Sequence, residues 1–387
     1  MKKRMIWEKV LLVISALFLS MALFMPGFAI GGADSGAKIS SMLELSDPSL
    51  MQLAKAEAET MEEKASEPLS PECAEFAKDP NADVGDIIRA GCKPTTGQMS
   101  ALMDNPLGNV AMLFTQVDVS VMENPTNGAK ENRLNYMGIA QFPKKLSSDW
   151  NLINRIVWNV PSMPLDQDKI DRANDRAGQY GSGEGPIVLP PVGEGPAPVD
   201  LFSGRTTGFG DMYYNGLFAP SDAYKTDSGA SLLWGAGVCL GFPTATEDLL
   251  GTGKFLAGPS ALGVYMGPKW KFGALGQQYF SYAGDGGRDD VSLLNLQYFI
   301  FYSLDEVTSI GISPNIVADW KQDSGNKWTV PVGLGVSRTF QIGPVPVRFG
   351  VELHYSVIRP DDQAGNLWNF RFYVIPAAPS ALFGWMN

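Results

Sequence analysis

The residues best suited to chemistry lie near the end of the chain, where His354, its one histidine, is followed two positions later by Ser356. Residues two apart in a β-strand point to the same face, so this pair is spaced for a general base and a nucleophile. Asn366 or Asn369 stands downstream as a candidate third member. We expect a polar lining instead, because Glu352 shares the face and no glycine-rich oxyanion arrangement accompanies the pair.

Two loop-like motifs resemble ligand-binding sequences but lack the required spacing. Gly251-Thr252-Gly253-Lys254 is similar to a phosphate loop, yet Phe255 replaces the hydroxyl residue and the glycine spacing is wrong. Acidic residues cluster in Gly284-Asp290 and between Asp166 and Asp175, without the pattern of a calcium loop. We therefore predict no metal site, no cofactor and no enzymatic activity.

Charged residues recur at positions where an alternating strand faces away from its apolar side. Within a barrel they would either form the transverse field that selects solutes in a pore or join as a salt-bridged plug in a narrow interior. The two interpretations have equal weight here. The candidate lining residues are Arg155, Lys269, Asp319, Arg348, Glu352, His354 and Arg371.

Polarity alternates along roughly ten-residue segments from Pro106 onward, with turn-like clusters between them. The segment from Phe349 to Val357 shows it clearly, since every second residue is apolar and the others are small, polar or charged. The pattern predicts an all-β fold, an antiparallel transmembrane β-barrel of about 12 strands. We place strands at 109–121, 133–142, 150–160, 210–219, 231–242, 260–270, 272–282, 291–302, 308–320, 327–340, 345–358 and 366–375.

Three features favour a barrel in a membrane over a water-soluble one. The inward faces carry charges that a dry core rarely accepts, and the apolar faces end in aromatic residues such as Trp270, Trp320 and Trp368. With the N-terminus inside, the long connections 161–209 and 243–259 lie on the outer side and most tight turns on the inner side. The connection 220–230 is long for the inner side.

The N-terminal part of the chain indicates export. Lys2, Lys3 and Arg4 precede an apolar run that ends near Met25, which is the layout of a signal peptide cleaved after Ala29. We expect residues 1–29 to be the signal peptide, 30–105 a periplasmic helical or flexible segment, 106–376 the barrel and 377–387 a tail. In an exported protein Cys73 and Cys92 are candidates for a disulfide that closes a loop.

The chain carries a net charge of −11 at pH 7, which makes nucleic acid a poor partner. The expected partners are outer-membrane lipid, lipopolysaccharide, the barrel-insertion machinery and a small-molecule solute.

Several turns and strand ends carry a family resemblance over roughly the last 280 residues. The matching segments are Asn105-Pro106-Leu107, Gly208-Phe209-Gly210-Asp211, Gly241-Phe242-Pro243-Thr244, Gly258-Pro259-Ser260, Tyr282-Ala283-Gly284-Asp285 and Pro331-Val332-Gly333-Leu334-Gly335. They resemble the bacterial outer-membrane barrels of the MetA-pathway of phenol degradation, which are also labelled transporters or neuromedin U. The resemblance implies an outer-membrane location and passage of small aromatic or hydrophobic solutes.

We therefore expect a channel or transporter for small aromatic or hydrophobic solutes in a bacterial outer membrane. Two alternatives stay open, a plugged structural or binding barrel and a hydrolase that uses His354 and Ser356.

Overall fold

The computed structural model describes residues 70–78, 84–104, 106–107, 110–166, 202, 204–227, 229–343, 345–361 and 363–379. The predicted signal peptide and most of the long 161–209 connection lie outside these ranges. The described helices are α1 (Pro71–Lys78), α2 (Val84–Arg89) and α3 (Thr96–Met103), with a short 3₁₀ turn at Asp248–Leu250. Within the described ranges, no helix has the length and apolar character needed to cross a membrane.

Antiparallel strands form the rest of the described chain and close on themselves. They are β1 (Val110–Glu123), β2 (Lys130–Lys145), β3 (Trp150–Met163), β4 (Thr206–Thr207), β5 (Met212–Pro220), β6 (Tyr224–Lys225), β7 (Ser231–Phe242), β8 (Lys254–Met266), β9 (Trp270–Gly284), β10 (Ser292–Ser303), β11 (Thr308–Ile312), β12 (Asn315–Asp319), β13 (Trp328–Ile342), β14 (Val345–Ile358) and β15 (Gly365–Pro379). The first strand β1 pairs with β2 on one side and with β15 on the other, so the ladder forms a ring.

The ring contains twelve strand positions. Both β11 and β12 pair with β10 and β13, so they are two halves of one strand that is interrupted at Ser313-Pro314. The two-residue strands β4 and β6 only extend the pairing of β3 and β7. The fold is therefore a closed 12-stranded antiparallel barrel, as the alternating sequence predicts.

The interior of the barrel is polar and its outer surface is apolar. On β14, Arg348, Glu352 and His354 are buried, whereas Val351 and Leu353 between them are exposed. Exposed apolar side chains recur around the ring, among them Leu232, Trp234, Phe272, Ile300, Val332, Leu334, Val336, Phe370 and Phe372. This distribution reverses that of a water-soluble barrel, which buries its apolar face and exposes polar side chains.

Aromatic side chains pair at the two ends of this apolar band. One end, called the inner end because β1 begins there, carries the edge-to-face pairs Trp150–Trp234 and Trp270–Tyr302. The opposite, outer end carries Trp320–Trp328, with ring centroids 5.5 Å apart, and Tyr355–Trp368. From Trp328 to the inner-end Phe340, strand β13 rises roughly 30 Å, given ~3.4 Å per residue and a tilt of ~40°.

Most strand boundaries agree with the prediction, but that of β8 does not. We expected this strand to begin at Ser260, with 243–259 as a connection, whereas it begins at Lys254 and pairs with β7 from Leu256 onward. Gly258 and Pro259, which suggested a turn, are both inside the strand. Likewise, β15 continues to Pro379 and not only to the predicted barrel end at 376.

The N-terminal segment ends in helices, and the last of them enters the barrel. A disulfide joins Cys73 to Cys92 and so closes a loop that contains α1 and α2. Thr95 caps α3 by accepting a hydrogen bond from the backbone of Gln98, whose side chain accepts one from Thr95 in return. The helix lies inside the inner end of the barrel, a placement that sequence analysis did not predict.

Candidate functional site

Helix α3 is attached to the barrel wall by charged and polar groups. Asp104, which follows the helix, forms ion pairs with Arg348 of β14 and Lys271 of β9. The Arg348 guanidinium also donates to the Ser100 carbonyl at 3.0 Å and to its hydroxyl at 2.9 Å. The hydroxyls of Ser100 and Thr339 are 3.1 Å apart. Helix α3 is thus held against the inner end of the wall through contacts made by Ser100 and Asp104.

Close packing against a turn and against apolar wall residues completes this contact. A Cβ atom at Gly97 would lie 2.6 Å from the carboxylate of Glu306, so a larger residue would have to displace that side chain where the helix approaches the β10–β11 turn. Met103 packs in an apolar cluster with Val110, Met112 and Tyr373. Helix α3 is therefore fitted to the wall, although its strongest bonds are ionic.

A second network of charges crosses the middle of the barrel. Arg371 donates from Nε to Asp118 at 2.8 Å and from Nη1 to the Ser313 carbonyl at 3.0 Å. Asp118 also accepts from Asn369 at 2.9 Å and from Gln116 at 2.7 Å. The buried charges of Arg371 and Asp118 are therefore each neutralised and hydrogen-bonded, as a low-dielectric interior requires.

The interrupted strand supplies donors to Glu352. At the break between β11 and β12, Ser313 donates its N–H to Glu352 Oε2 at 3.0 Å and its hydroxyl to Oε1 at 2.9 Å. His354 Nε2 lies 2.7 Å from the same carboxylate. The break in the ladder thus frees a backbone N–H to bind a lumen carboxylate.

These contacts decide against a Ser–His pair. His354 Nε2 contacts Glu352, and Nδ1 faces Asn369 at 3.5 Å, so neither ring nitrogen is directed to Ser356. Both His354 and Ser356 are buried on the inner face of β14. The geometry fits a polar lining, as expected from sequence.

A cavity of about 140 Å³ lies between α3 and the central network. Its wall is largely apolar, with Phe114, Ile139, Leu217, Phe299 and Phe301 among the lining side chains, but four cationic groups also reach it. The four are Arg155, Lys271, Arg348 and Arg371. A smaller cavity of about 30 Å³ lies beside it and is lined by the amide side chains of Gln116, Gln277, Asn295, Gln297 and Asn315.

Arg155 of β3 lines both cavities, as Arg371 does, but it differs from the other three cations in its partners. Its Nη2 donates to Gln297 Oε1 at 3.2 Å, and its buried Nε has no hydrogen-bond partner. Among the described residues, no carboxylate forms an ion pair with it. Lys271, Arg348 and Arg371 each have such a partner.

The remaining predicted lining residues do not all reach the interior. Lys269 is exposed in the β8–β9 turn, with Nζ 5.8 Å from the centroid of Tyr302, so its assignment to the lumen is wrong. The strand predicted at 260–270 ends at Met266, so Lys269 lies in the turn, and Lys271 of β9 occupies the inward position. Asp319 lies at the outer end of β12, where it accepts a bond from the backbone of Lys321 at 3.0 Å.

Sequence analysis missed Asp104, Asp118, Lys271 and Gln297. Asp118 carried a usable signal, because it alternates with valines at 117, 119 and 121 and so marks the inward face of β1. Asp104 carried no such signal, since it precedes the barrel in sequence and its role depends on where α3 lies.

The loop motifs are structural where the chain is described. Within that part, no cluster of three or more histidine, cysteine or acidic residues could hold a metal ion. Thr252 of the phosphate-loop-like motif donates from its N–H and its hydroxyl to Asp211 at 2.7 and 2.9 Å. Burial raises the pKa of the Asp211 carboxyl, and these hydrogen bonds oppose the rise.

Comparison with known proteins gives structural neighbours only. No family model and no curated protein matches the chain. The chain is similar to an outer membrane channel from Pseudomonas putida F1, at a TM-score of 0.45 and 13% identity over 70% of this chain and 94% of that one. It is also similar to outer membrane phospholipase A from Escherichia coli, with a TM-score of 0.36 and 10% identity over 73% of this chain and 98% of that one. A third similar structure is a FadL homologue from Pseudomonas aeruginosa, with a TM-score of 0.28 and 10% identity over 70% of this chain and 90% of that one.

These neighbours are barrel proteins of differing activity, and the resemblance to the MetA-pathway family stays a prediction.

Proposed function

We propose that the chain is an outer-membrane channel for small solutes whose inner end is closed by helix α3. The observation that carries the proposal is the ionic attachment of α3 to the wall, through Asp104 with Arg348 and Lys271, directly beside an internal cavity. A barrel filled only for stability would need neither the cavity nor charges at the contact. Solute passage requires α3 to leave its position or to shift within it.

The outer surface supports a membrane location. The exposed apolar band with aromatic pairs at both ends is of the height that a bilayer covers, since the hydrocarbon core is about 30 Å thick. Ring closure pairs both sides of each of the twelve strand positions, as a lipid environment demands. In this proposal the band contacts lipid and lipopolysaccharide, and the chain is exported by a cleaved signal peptide and inserted by the barrel-insertion machinery.

The alternative is a permanently plugged barrel, with α3 as a fixed structural part. The same contacts serve both functions, so movement of the helix discriminates between them. A hydrolase is disfavoured, because the ring nitrogens of His354 contact Glu352 and Asn369 and not Ser356.

A reversible lock on α3 tests the channel. Because the Ser100 and Thr339 hydroxyls are 3.1 Å apart, the double variant Ser100→Cys, Thr339→Cys is placed to form a disulfide from helix to wall. In planar bilayers we expect discrete openings from the wild type, few from the oxidised variant and a return of openings on reduction.

The matched control is Ser162→Cys, Thr207→Cys, whose hydroxyls are 2.6 Å apart at the outer end and do not involve α3. The control should conduct whether oxidised or reduced. Because the reductant can also reduce the native disulfide Cys73–Cys92, the wild type is recorded with and without it as well. Equal conductance of the oxidised and reduced α3 lock, or a folded wild-type barrel that never opens, would overturn the proposal.

A further inference from the structure

The charges around the large cavity do not balance. Four cations line it, and three of them are matched by carboxylates: Lys271 and Arg348 share Asp104, and Arg371 is bound to Asp118 with Glu352 nearby. The described residues supply no carboxylate partner for Arg155. Counting Asp104, Asp118 and Glu352 against these four cations leaves an excess of one positive charge. Arg155, which borders both cavities, is the one of the four that has no direct carboxylate contact among the described residues.

Arg155 is also incompletely hydrogen-bonded. One donor goes to the Gln297 side-chain oxygen, and the buried Nε has no partner. An arginine in a low-dielectric interior costs free energy unless an anion faces it, and its planar guanidinium matches a carboxylate with two parallel hydrogen bonds. Arg155 borders the cavity with one side-chain acceptor and no carboxylate among the described residues, so its guanidinium has donor capacity left for an anionic ligand.

The cavity wall indicates what the rest of that ligand is. An apolar surface on this wall favours burial of a hydrocarbon group. It is formed by Phe114, Leu217, Leu275, Phe299 and Phe301. The volume of about 140 Å³ is close to that of an apolar protein cavity of about 150 Å³ known to bind benzene. One aromatic ring, or an aliphatic group of equal size, therefore fits.

We propose that the cavity binds small organic acids with a single negative charge, with the carboxylate on Arg155 and a ring-sized apolar body against Phe299 and Phe301. The amide groups of the smaller cavity, including Asn295 and Gln277, stand on the carboxylate side. This inference rests on the proposed channel function, in which the cavity is a binding site on the path of the solute. It narrows the expected solutes from aromatic compounds in general to those with a single negative charge.

Benzoate is the probe, and benzyl alcohol and benzamide are its uncharged counterparts. Titration calorimetry of the purified barrel in detergent should show saturable benzoate binding that is at least about tenfold tighter than binding of either uncharged compound, because a charge-assisted hydrogen bond is replaced by a neutral one. The variant Arg155→Gln should weaken benzoate binding at least about tenfold and leave binding of benzyl alcohol unchanged.

Two further variants guard against misfolding and non-specific charge effects. Arg155→Lys keeps the charge and should recover part of the benzoate affinity, although a point charge loses the bidentate geometry. Arg338→Gln removes an arginine that is exposed at the inner end, where it pairs with Asp305, and should bind benzoate as the wild type does.

The outcomes separate this inference from the channel proposal. Equal binding of benzoate and benzyl alcohol, or unchanged benzoate binding by Arg155→Gln, would reject the anion site. Neither result would affect the channel proposal, which the disulfide lock on α3 tests. Absence of benzoate binding to a wild type that conducts would reject it as well. Benzoate binding by a barrel that never conducts would keep the site and overturn the channel.

Discussion

Different interactions hold the described segments together at the two ends of the barrel. At the inner end Asp104 connects α3 to Lys271 and Arg348, so charges hold the closure. At the outer end Met122, Met163, Leu165, Leu249, Leu250 and Ala364 form a buried apolar cluster, against which Phe202 and Ala245 pack. A contact that depends on a few charge pairs can be released and re-formed as a unit, whereas an apolar cluster loses stability in proportion to the area exposed.

This difference assigns distinct tasks to the two ends. The inner end is suited to switching, because removing the single carboxylate of Asp104 leaves Lys271 and Arg348 on the wall without a counter-charge from the helix. The outer end is suited to rigidity, because its loops share a core with the ends of β1 and β3. Variants at the inner end should therefore change conductance, and variants at the outer end should change loop stability.

Asp104→Asn should have the largest effect. It leaves Lys271 and Arg348 without their common partner, and loss of one member of a buried ion pair costs about 3–5 kcal/mol, which shifts the closed-to-open ratio by about a hundredfold or more. Single-channel recording should show a large rise in open probability. Asp149→Asn is the control, because Asp149 is exposed in the inner-end β2–β3 turn. An unchanged open probability in Asp104→Asn would mean that charge does not hold the helix.

Leu250→Ala tests the outer end. The side chain is buried, and its truncation should destabilise the outer loops by about 2–5 kcal/mol without altering single-channel conductance. Faster amide hydrogen exchange over 244–252 is the expected readout. Leu146→Ala, at a side chain that is half exposed in an inner-end turn, should change stability by less than about 0.5 kcal/mol. If Leu250→Ala opened the channel as Asp104→Asn does, the assignment of tasks to the two ends would fail.

The sequence predicted the wall of the barrel much better than its contents. Alternation along β13 and β14 fixes which side chains face inward, because the side-chain period of a strand is two residues. With the same alternation along β15, it predicts Arg348, Glu352 and Arg371 on the inward face, where the structure buries them. Lys269 was misplaced because the position of a turn, and not the alternation itself, decides where the inward series begins.

The contents of the barrel depend on contacts that are distant in sequence. Asp104 meets Arg348 across 244 residues, and Arg155 meets Gln297 across 142. No local pattern records such pairs, and a helix of eight residues with little amphipathic character gives no sign that it will enter a lumen. The missing carboxylate partner of Arg155 is visible only after Lys271, Arg348 and Arg371 have been assigned theirs.

The smallest expected effect is an opposite response of the two ends to pH. Backbone donors from Val307 and Thr308 lower the pKa of Asp305 in the inner β10–β11 turn, whereas burial raises the pKa of Asp211 at the outer end. The stabilisation from Asp305 is present above the ordinary value of 3.8 and is lost as pH falls through its lowered pKa. The stabilisation from Asp211 is complete below pH 3.8 and is lost as pH rises through its raised pKa.

Acidification from about pH 7 to about pH 4 should therefore slow amide exchange, corrected for its intrinsic rate, in residues 244–252. The same change should leave exchange in the turn at 304–308 unchanged. The turn should loosen only below that range, and Asp211→Asn should abolish the outer response. Faster exchange at the outer end on acidification would contradict the raised pKa and, with it, the view that burial dominates there.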